Sequence, residues 1–390
     1  MKINILPIAS SLHDQVFIEG STKNLINKLK DNTNFEINIT DINSFYNSDL
    51  SLILVQSGGS ENVFLQMQSK LKPPFYLLTY GHNNSLAASI EILSYIKDLG
   101  LEGEILHGST EYLKERIKNL IVEKDTIRLG VIGKPSDWLI ASNVNYQEVK
   151  KYHNIELVDI NIDKVINKFQ STTESKNLFN GFKFDLKELN KSENVYSALK
   201  QIKDEYNLDG LTIRCFDLLS TIKTTSCMAL AKLNSEGIVS CCEGDIPTMI
   251  SMEIVKRITN SPSFQANPSR IDIENKKMVF AHCTIPLDMV ENYSLNTHYE
   301  SKIGVAIKGE LKENQEITIF KLSNNMKDYF LCKGKIIRNL NEENLCRTQI
   351  EVEIDNPTYF LNRPYGNHHL IIYGNHTEVI KKYMDEVNLK

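Results

Sequence analysis

The sequence of 390 residues is short of several things that would place it quickly. It has one tryptophan, Trp138, and no repeat or low-complexity tract. No apolar run approaches the roughly 18 residues needed to cross a bilayer, so a membrane partner is not expected. Lys and Arg number 44 against 49 Asp and Glu, a formal net charge of -5. A nucleic-acid-binding chain usually shows a basic surplus, so no nucleic-acid partner is expected either. The seven cysteines are odd in number, irregularly spaced and contain no CxxC pair, which argues against a zinc ribbon. The start, Met1-Lys2 followed by Ile3 to Ala9, is too short and too soon polar for a signal peptide and reads as a β-strand. Free thiols and a cytoplasmic location follow as expectations. Ser57-Gly58-Gly59-Ser60 suits an anion but lacks the lysine of a P-loop, and no GxGxxG marks a dinucleotide fold.

What is present is a strong alternation of strand and helix signals. Ile3–Ala9, Phe35–Ile42, Leu50–Gln56 and Pro74–Tyr80 read as strands. Helical patterns at Thr22–Lys30, Ser85–Leu99 and Glu111–Glu123 lie between and after them. The series restarts at Ile127, with strands near Leu129–Ile132, Ile155–Ile160, Leu211–Cys215 and Ile238–Cys242. Helices are predicted over Val195–Glu205, Ser226–Leu233 and Pro247–Ile258. Such alternation implies open, mostly parallel sheets with helices on both faces. After about Ser261 the pattern changes to closely spaced strands: Arg270–Asp272, Met278–His282, Ile303–Ile307, Glu316–Leu322, Asp328–Ile337 and Gln349–Ile354. The chain then shows a strand, His369–Tyr373, and a helix, Thr377–Val387. The expected architecture is α/β: two Rossmann-like open-sheet domains, 1–126 and 127–262, then a β-barrel-like domain, 263–390.

Four constellations carry chemistry. Cys241-Cys242-Glu243-Gly244-Asp245-Ile246-Pro247 follows a strand and precedes a helix, where α/β proteins place ligands. In an extended chain Glu243 and Asp245 point the same way, which suits a divalent cation or an acid/base pair. The plainer role for Asp245 is a helix cap. Asn367-His368-His369 feeds two histidines into an apolar strand, and adjacent strand residues face opposite ways, so one is expected to reach a site. His282-Cys283 ends another strand; His282 is a ligand, a proton carrier or a packed strand residue. Cys242 with His282 also fits a thiol nucleophile. Ser136-Asp137-Trp138 lies on a loop after a strand, where an indole face and hydroxyl-binding groups suit a sugar. The alternative for Trp138 is core packing.

In their order, these motifs resemble the L-fucose isomerase and L-arabinose isomerase superfamily, closest to its fucose-isomerase-like branch. Asn84-Ser85-Leu86-Ala87-Ala88-Ser89-Ile90-Glu91 and Gly133 to Ser142 add to the likeness, which spans essentially the whole chain. The resemblance implies a metal-dependent carbohydrate isomerase, interconverting an aldose and a ketose through an enediol. It also implies a homo-oligomer, a trimer or hexamer, with a sugar or sugar derivative as its small-molecule partner. The implied cofactor is a divalent cation, Mn²⁺ first and Zn²⁺ second. Asp245 matches the family's aspartate ligand and base, and His368 its histidine ligand. Trp138, Ser136, Asp137, Arg214, His282 and Asn367 are expected to line the sugar site. One departure stands out: Cys227 occupies the position of the family's second catalytic glutamate. Either Glu243 substitutes as base or third ligand, or Cys227, Asp245 and His368 form a softer site that favours Zn²⁺. The alternatives are a different reaction on a sugar and a sugar-binding protein without catalysis.

Overall fold

The computed structural model describes residues 1–12, 15–124, 126–172 and 183–389. The chain divides into two compact units, Met1–Thr126 and Ile127–Lys390. The first unit runs β1 (Lys2–Ile8), α1 (Gln15–Lys30), β2 (Glu36–Ile39), β3 (Leu50–Val55), α2 (Ser60–Met67), β4 (Phe75–Leu78), α3 (Ser85–Asp98), β5 (Gly103–Leu106) and α4 (Thr110–Lys124). Its strands form one parallel sheet in the order β2-β1-β3-β4-β5. β3 is apolar almost throughout because both faces of the sheet are covered. Leu25, Leu29, Leu113 and Ile117 from α1 and α4 pack in one core, and Phe64, Ile92 and Ile96 from α2 and α3 in another. The Ser57–Ser60 loop spends its hydroxyls internally: Ser60 donates to the Ile8 and Ser57 carbonyls, and Ser57 accepts from the Ser10 N–H.

The second unit opens with β6 (Ile127–Ile132), α5 (Tyr146–His153), β7 (Ile155–Ile160), α6 (Asp163–Ser171), α7 (Leu186–Glu205), β8 (Gly210–Ile213), α8 (Phe216–Thr221), α9 (Cys227–Ser235), β9 (Val239–Cys241) and α10 (Ile246–Thr259). These strands form a second parallel sheet, β7-β6-β8-β9. There follow β10 (Phe264–Asp272), β11 (Lys277–His282), β12 (Asn292–Asn296), β13 (Ala306–Glu310), β14 (Glu316–Leu322), β15 (Tyr329–Asn339), β16 (Thr348–Ile354), α11 (Tyr359–Asn362), β17 (His369–Tyr373) and α12 (Thr377–Asn388). β10-β11-β16-β15-β14-β17 close into an antiparallel barrel, and β12 and β13 form a separate hairpin. The architecture is therefore parallel-sheet α/β followed by a closed six-stranded antiparallel barrel. Among the described residues no helix is long and apolar enough to cross a membrane.

The expected limit between residues 262 and 263 lies within this second unit. There one core joins Leu129, Val131 and Val239 of the sheet to Ile250 and Ile254 of α10 and to Phe320 and Leu370 of the barrel. α10 is thus sandwiched between sheet and barrel, which is why it is buried almost all round. This packing brings the C-terminal end of β9 to His282, the last residue of β11, and to His368, immediately before β17.

Candidate metal centre

The site begins where β9 ends. The chain does not stay extended there, the condition under which Glu243 and Asp245 would point the same way; Glu243 and Gly244 are both left-handed, with φ of 65° and 71°. The reason is crowding. A Cβ on Gly244 would lie 2.2 Å from the Lys134 carbonyl oxygen, so only glycine allows the 133–136 loop to pack there. The turn is pinned by backbone bonds, Ser136 N–H to Glu243 O at 2.9 Å and Gly244 N–H to Ile213 O at 2.9 Å. Cys242 N–H donates to Gln265 Oε1 at 2.9 Å. Asp245 then caps α10, accepting from Thr248 N–H at 3.1 Å, with Pro247 in the first turn. The cap and the site role are not alternatives, because Asp245 Oδ2 also lies 2.8 Å from His368 Nδ1.

Glu243, His282 and His368 converge, each offering one ligand atom with all three atoms within 4.8 Å of one another. Glu243 Oε1 lies 3.5 Å from His368 Nε2 and 3.8 Å from His282 Nε2. All three residues are buried. His368 Nε2 is buried without a hydrogen-bond partner. A buried nitrogen left this way costs free energy unless something supplies it. An oxygen and two imidazole nitrogens facing one point, with Asp245 behind one imidazole, are a donor set that fits a divalent transition metal. These three residues form a group able to hold a metal.

The electrostatics agree. Burial disfavours the charged form of His368, but the Glu243 and Asp245 carboxylates outweigh it and raise the imidazole to about 9. Burial likewise opposes ionisation of Glu243, and His368, His282 and the Trp138 N–H overcome it, bringing the carboxyl down to about 2. His282 is driven down to about 3, mainly by burial and by the charge of His368. The protein thus presents one carboxylate, one neutral imidazole and one imidazole poised to lose a proton.

The other residues singled out in the sequence stand in different relations to this group, and Trp138, Ser136, Asp137, Arg214 and Asn367 do not line the pocket beside it. Trp138 is half exposed, and its edge rather than its face meets the site: Nε1 donates to Glu243 Oε2 at 2.7 Å. The ring packs edge-on against Phe216, which packs edge-on against His298. Asp137 and Arg214 clamp each other at 2.6 and 2.9 Å, and Arg214 also bonds Asp217 and the Pro135 carbonyl. These contacts brace the loop carrying Trp138; Ser136 contributes its N–H to Glu243 O, its buried hydroxyl having no partner. Asn367 is exposed, and its carbonyl accepts from His369 Nδ1 at 2.9 Å. His369 points away from the group, among Phe330, Tyr359 and Phe360. Cys227 is buried beside Cys283 and Ala306, outside the convergent trio, and burial pushes its thiol well up. Cys242 is no activated nucleophile: its Sγ sits 3.2 Å from Cys215 Sγ, and that contact and burial hold it as a thiol.

Several residues escaped the sequence reading. Lys321 of β14 is fully buried, with Nζ 2.6 Å from Thr248 Oγ1 and 3.4 Å from Asp245 Oδ2. A pocket opens beside the trio, lined by Glu243, His282, Cys227, Asn267, His298 and Glu300 among others. A lysine within the apolar run Ile317–Leu322 was a usable signal, since a lysine on a doubly buried strand must be paired. Nothing local marks Asn267, His298 or Glu300.

The Trp138 bond makes a sharp prediction. Trp138→Phe keeps the ring on Phe216 and removes only the N–H, freeing Glu243 Oε2. Metal affinity is expected to fall about 10–100-fold, the usual effect of losing a partner behind a ligand. Chelator competition measures it, and unchanged affinity refutes the role.

No family model matches this chain. It is similar to proteins named sulfoquinovose isomerase. Those of Priestia aryabhattai and Priestia megaterium (strain ATCC 12872 / QMB1551) are each 25% identical over 285 residues, 68% of this chain and 64% of the relative. That of Alkalicoccus urumqiensis is 25% identical over 199 residues, 48% of this chain and 44% of the relative. The chain therefore matches less than two thirds of the length of these curated relatives.

Proposed function

We propose that this chain is a metal-dependent sugar isomerase of the fucose-isomerase-like group, converting an aldose to a ketose through an enediol. The convergence of Glu243, His282 and His368 on one point beside a pocket carries this reading. The relatives named for isomerising a sugar support it. Glu243 Oε1 and the Nε2 atoms of His282 and His368 would hold the cation, Mn²⁺ or Zn²⁺. A cation bound there supplies charge that polarises the carbonyl and hydroxyl oxygens of an aldose. The protein's own part is to fix that donor set. Asp245 orients His368 through Nδ1, Trp138 holds the second oxygen of Glu243, and burial removes competing water. The substrate is sought first with sulfoquinovose and then across unsubstituted aldoses. The reading includes a cytoplasmic enzyme assembled from several copies of this chain.

The test incubates metal-loaded protein with each sugar in deuterated water. Ketose formation, followed by NMR, is expected for at least one, lost on chelation and restored by Mn²⁺ or Zn²⁺. Protein that takes up metal but converts no aldose would point to different chemistry. Protein that takes up none after reconstitution would refute the metal-dependent reading outright.

A further inference from the structure

An aldose–ketose isomerase must move a proton between two adjacent carbons, and the resemblance read from the sequence puts Cys227 where a carboxylate for this is expected. The carboxylates near the site are largely committed. Both oxygens of Asp245 are engaged by Thr248, His368 and Lys321, and the residue has no exposed surface. Glu243 turns one oxygen to the imidazoles and gives the other to Trp138. The Cys227 thiol is held protonated by burial. One other carboxylate lines the pocket, Glu300. It lies on the turn between β12 and β13, and among the described residues it makes no hydrogen bond or ion pair.

That turn is tied to the segment leading into Cys227. Thr225 Oγ1 donates to Val305 O at 3.0 Å and lies 3.2 Å from Val305 N. Gly304 has φ 66°, and a Cβ there would come 2.6 Å from Thr225 Oγ1, so the turn seats tightly on the approach to α9. His298, in the same turn, bonds Ser301 at 3.0 Å and leans on Phe216, fixing the turn at the pocket wall. The structure thus holds the turn that carries Glu300 against the segment leading into α9, with Glu300 and Cys227 on the wall of one pocket. We propose that Glu300 is the catalytic base of this enzyme, carrying the proton between C1 and C2 of the sugar. This rests on the isomerase reading above.

The step balances without any other reactant. The Glu300 carboxylate takes the proton from C2 of the open-chain aldose. The C2–H electron pair forms the C1=C2 bond while the C1=O pair moves onto the C1 oxygen, which takes the proton of the neighbouring C2 hydroxyl and leaves an enediolate. The Glu300 carboxyl then gives its proton to C1, and the electron pair on the C2 oxygen forms the ketose carbonyl. Burial of part of its side chain and the negative charge of Glu243 raise the Glu300 carboxyl above its ordinary value.

The test compares native protein with Glu300→Gln and Glu300→Asp, all metal-loaded, on the best aldose found. Glu300→Gln is expected to lower kcat about 10²–10⁴-fold, with KM and bound metal near native values. Exchange of solvent deuterium into C2 of the aldose should fall in parallel, and Glu300→Asp should retain part of it. Glu300→Gln that exchanges and turns over within about threefold of native overturns the proposal while leaving the isomerase reading intact. Loss of bound metal in Glu300→Gln would also overturn it, by making Glu300 part of the metal site. Native protein that neither exchanges nor converts any aldose overturns the isomerase reading and this proposal with it.

Discussion

Replacing His368 with alanine is expected to empty the metal site and lower turnover by about 10³-fold or more, because a bound cation supplies several kcal/mol of transition-state stabilisation. His368 Nε2 is buried without a hydrogen bond, 3.5 Å from Glu243 Oε1, and its other nitrogen is held by Asp245. Removing the ring takes away a ligand and leaves the Asp245 carboxylate short of a donor. Elemental analysis and kcat should fall together, and stoichiometric metal retained in His368→Ala would refute the assignment. The same residue predicts a pH dependence. In metal-free protein His368 is raised to about 9 by Glu243 and Asp245 working against burial. A ligand must give up that proton, so metal affinity should climb with pH until about 9. Stability of the chelated protein should move oppositely. A raised histidine stabilises fully below its unfolded value of about 6.5. That contribution is lost as pH rises through about 9. Melting of chelated and metal-loaded protein across this window should therefore diverge.

Lys321→Met should give the largest loss of stability. Its ammonium is buried with Asp245 and Thr248, away from water. Removing one partner of such a pair leaves an uncompensated charge and costs about 3–5 kcal/mol. Burial resists ionisation of Asp245, and Lys321 with His368 overcomes it, holding the carboxyl well below the usual carboxylate range. Its stabilisation is accordingly present above the unfolded value of about 3.9 and is lost only on acidification below it. Urea unfolding of Lys321→Met, with and without Asp245→Asn, separates the effects: the double variant should recover part of the loss, since no lone charge remains. A Lys321→Met protein as stable as native would show that Thr248 and His368 suffice for Asp245.

The strand and helix grammar was legible because burial imposes it. β3, β8 and β14 are apolar runs since both faces are covered, and the short spacing of strands after Ser261 announced the barrel. β10 was the instructive miss. The sequence reading put a strand only at Arg270–Asp272. The strand starts at Phe264 and accommodates the proline at a shift of register between Pro268 and Arg270. Similarly, Ile303–Ile307 was placed too early, since Gly304 is left-handed and the strand begins at Ala306. At the site, strand-end position singled out Glu243 and Asp245, but their geometry came from the turn. The meeting of Glu243 with His282 and His368 depends on how the barrel closes against α10, and one sequence carries no local mark of that. The bond from Trp138 to Glu243 spans 105 positions and was equally silent.

That bond also equips the molecule with an optical probe. The chain has a single tryptophan, and its indole N–H is fixed to the carboxylate at the heart of the trio. All tryptophan emission therefore originates about one hydrogen bond from Glu243. Any change in the charge or orientation of that carboxylate, on loading a cation or seating a sugar, acts directly on the excited indole. Unlabelled protein thus carries its own reporter of site occupancy, with no second tryptophan to dilute the signal.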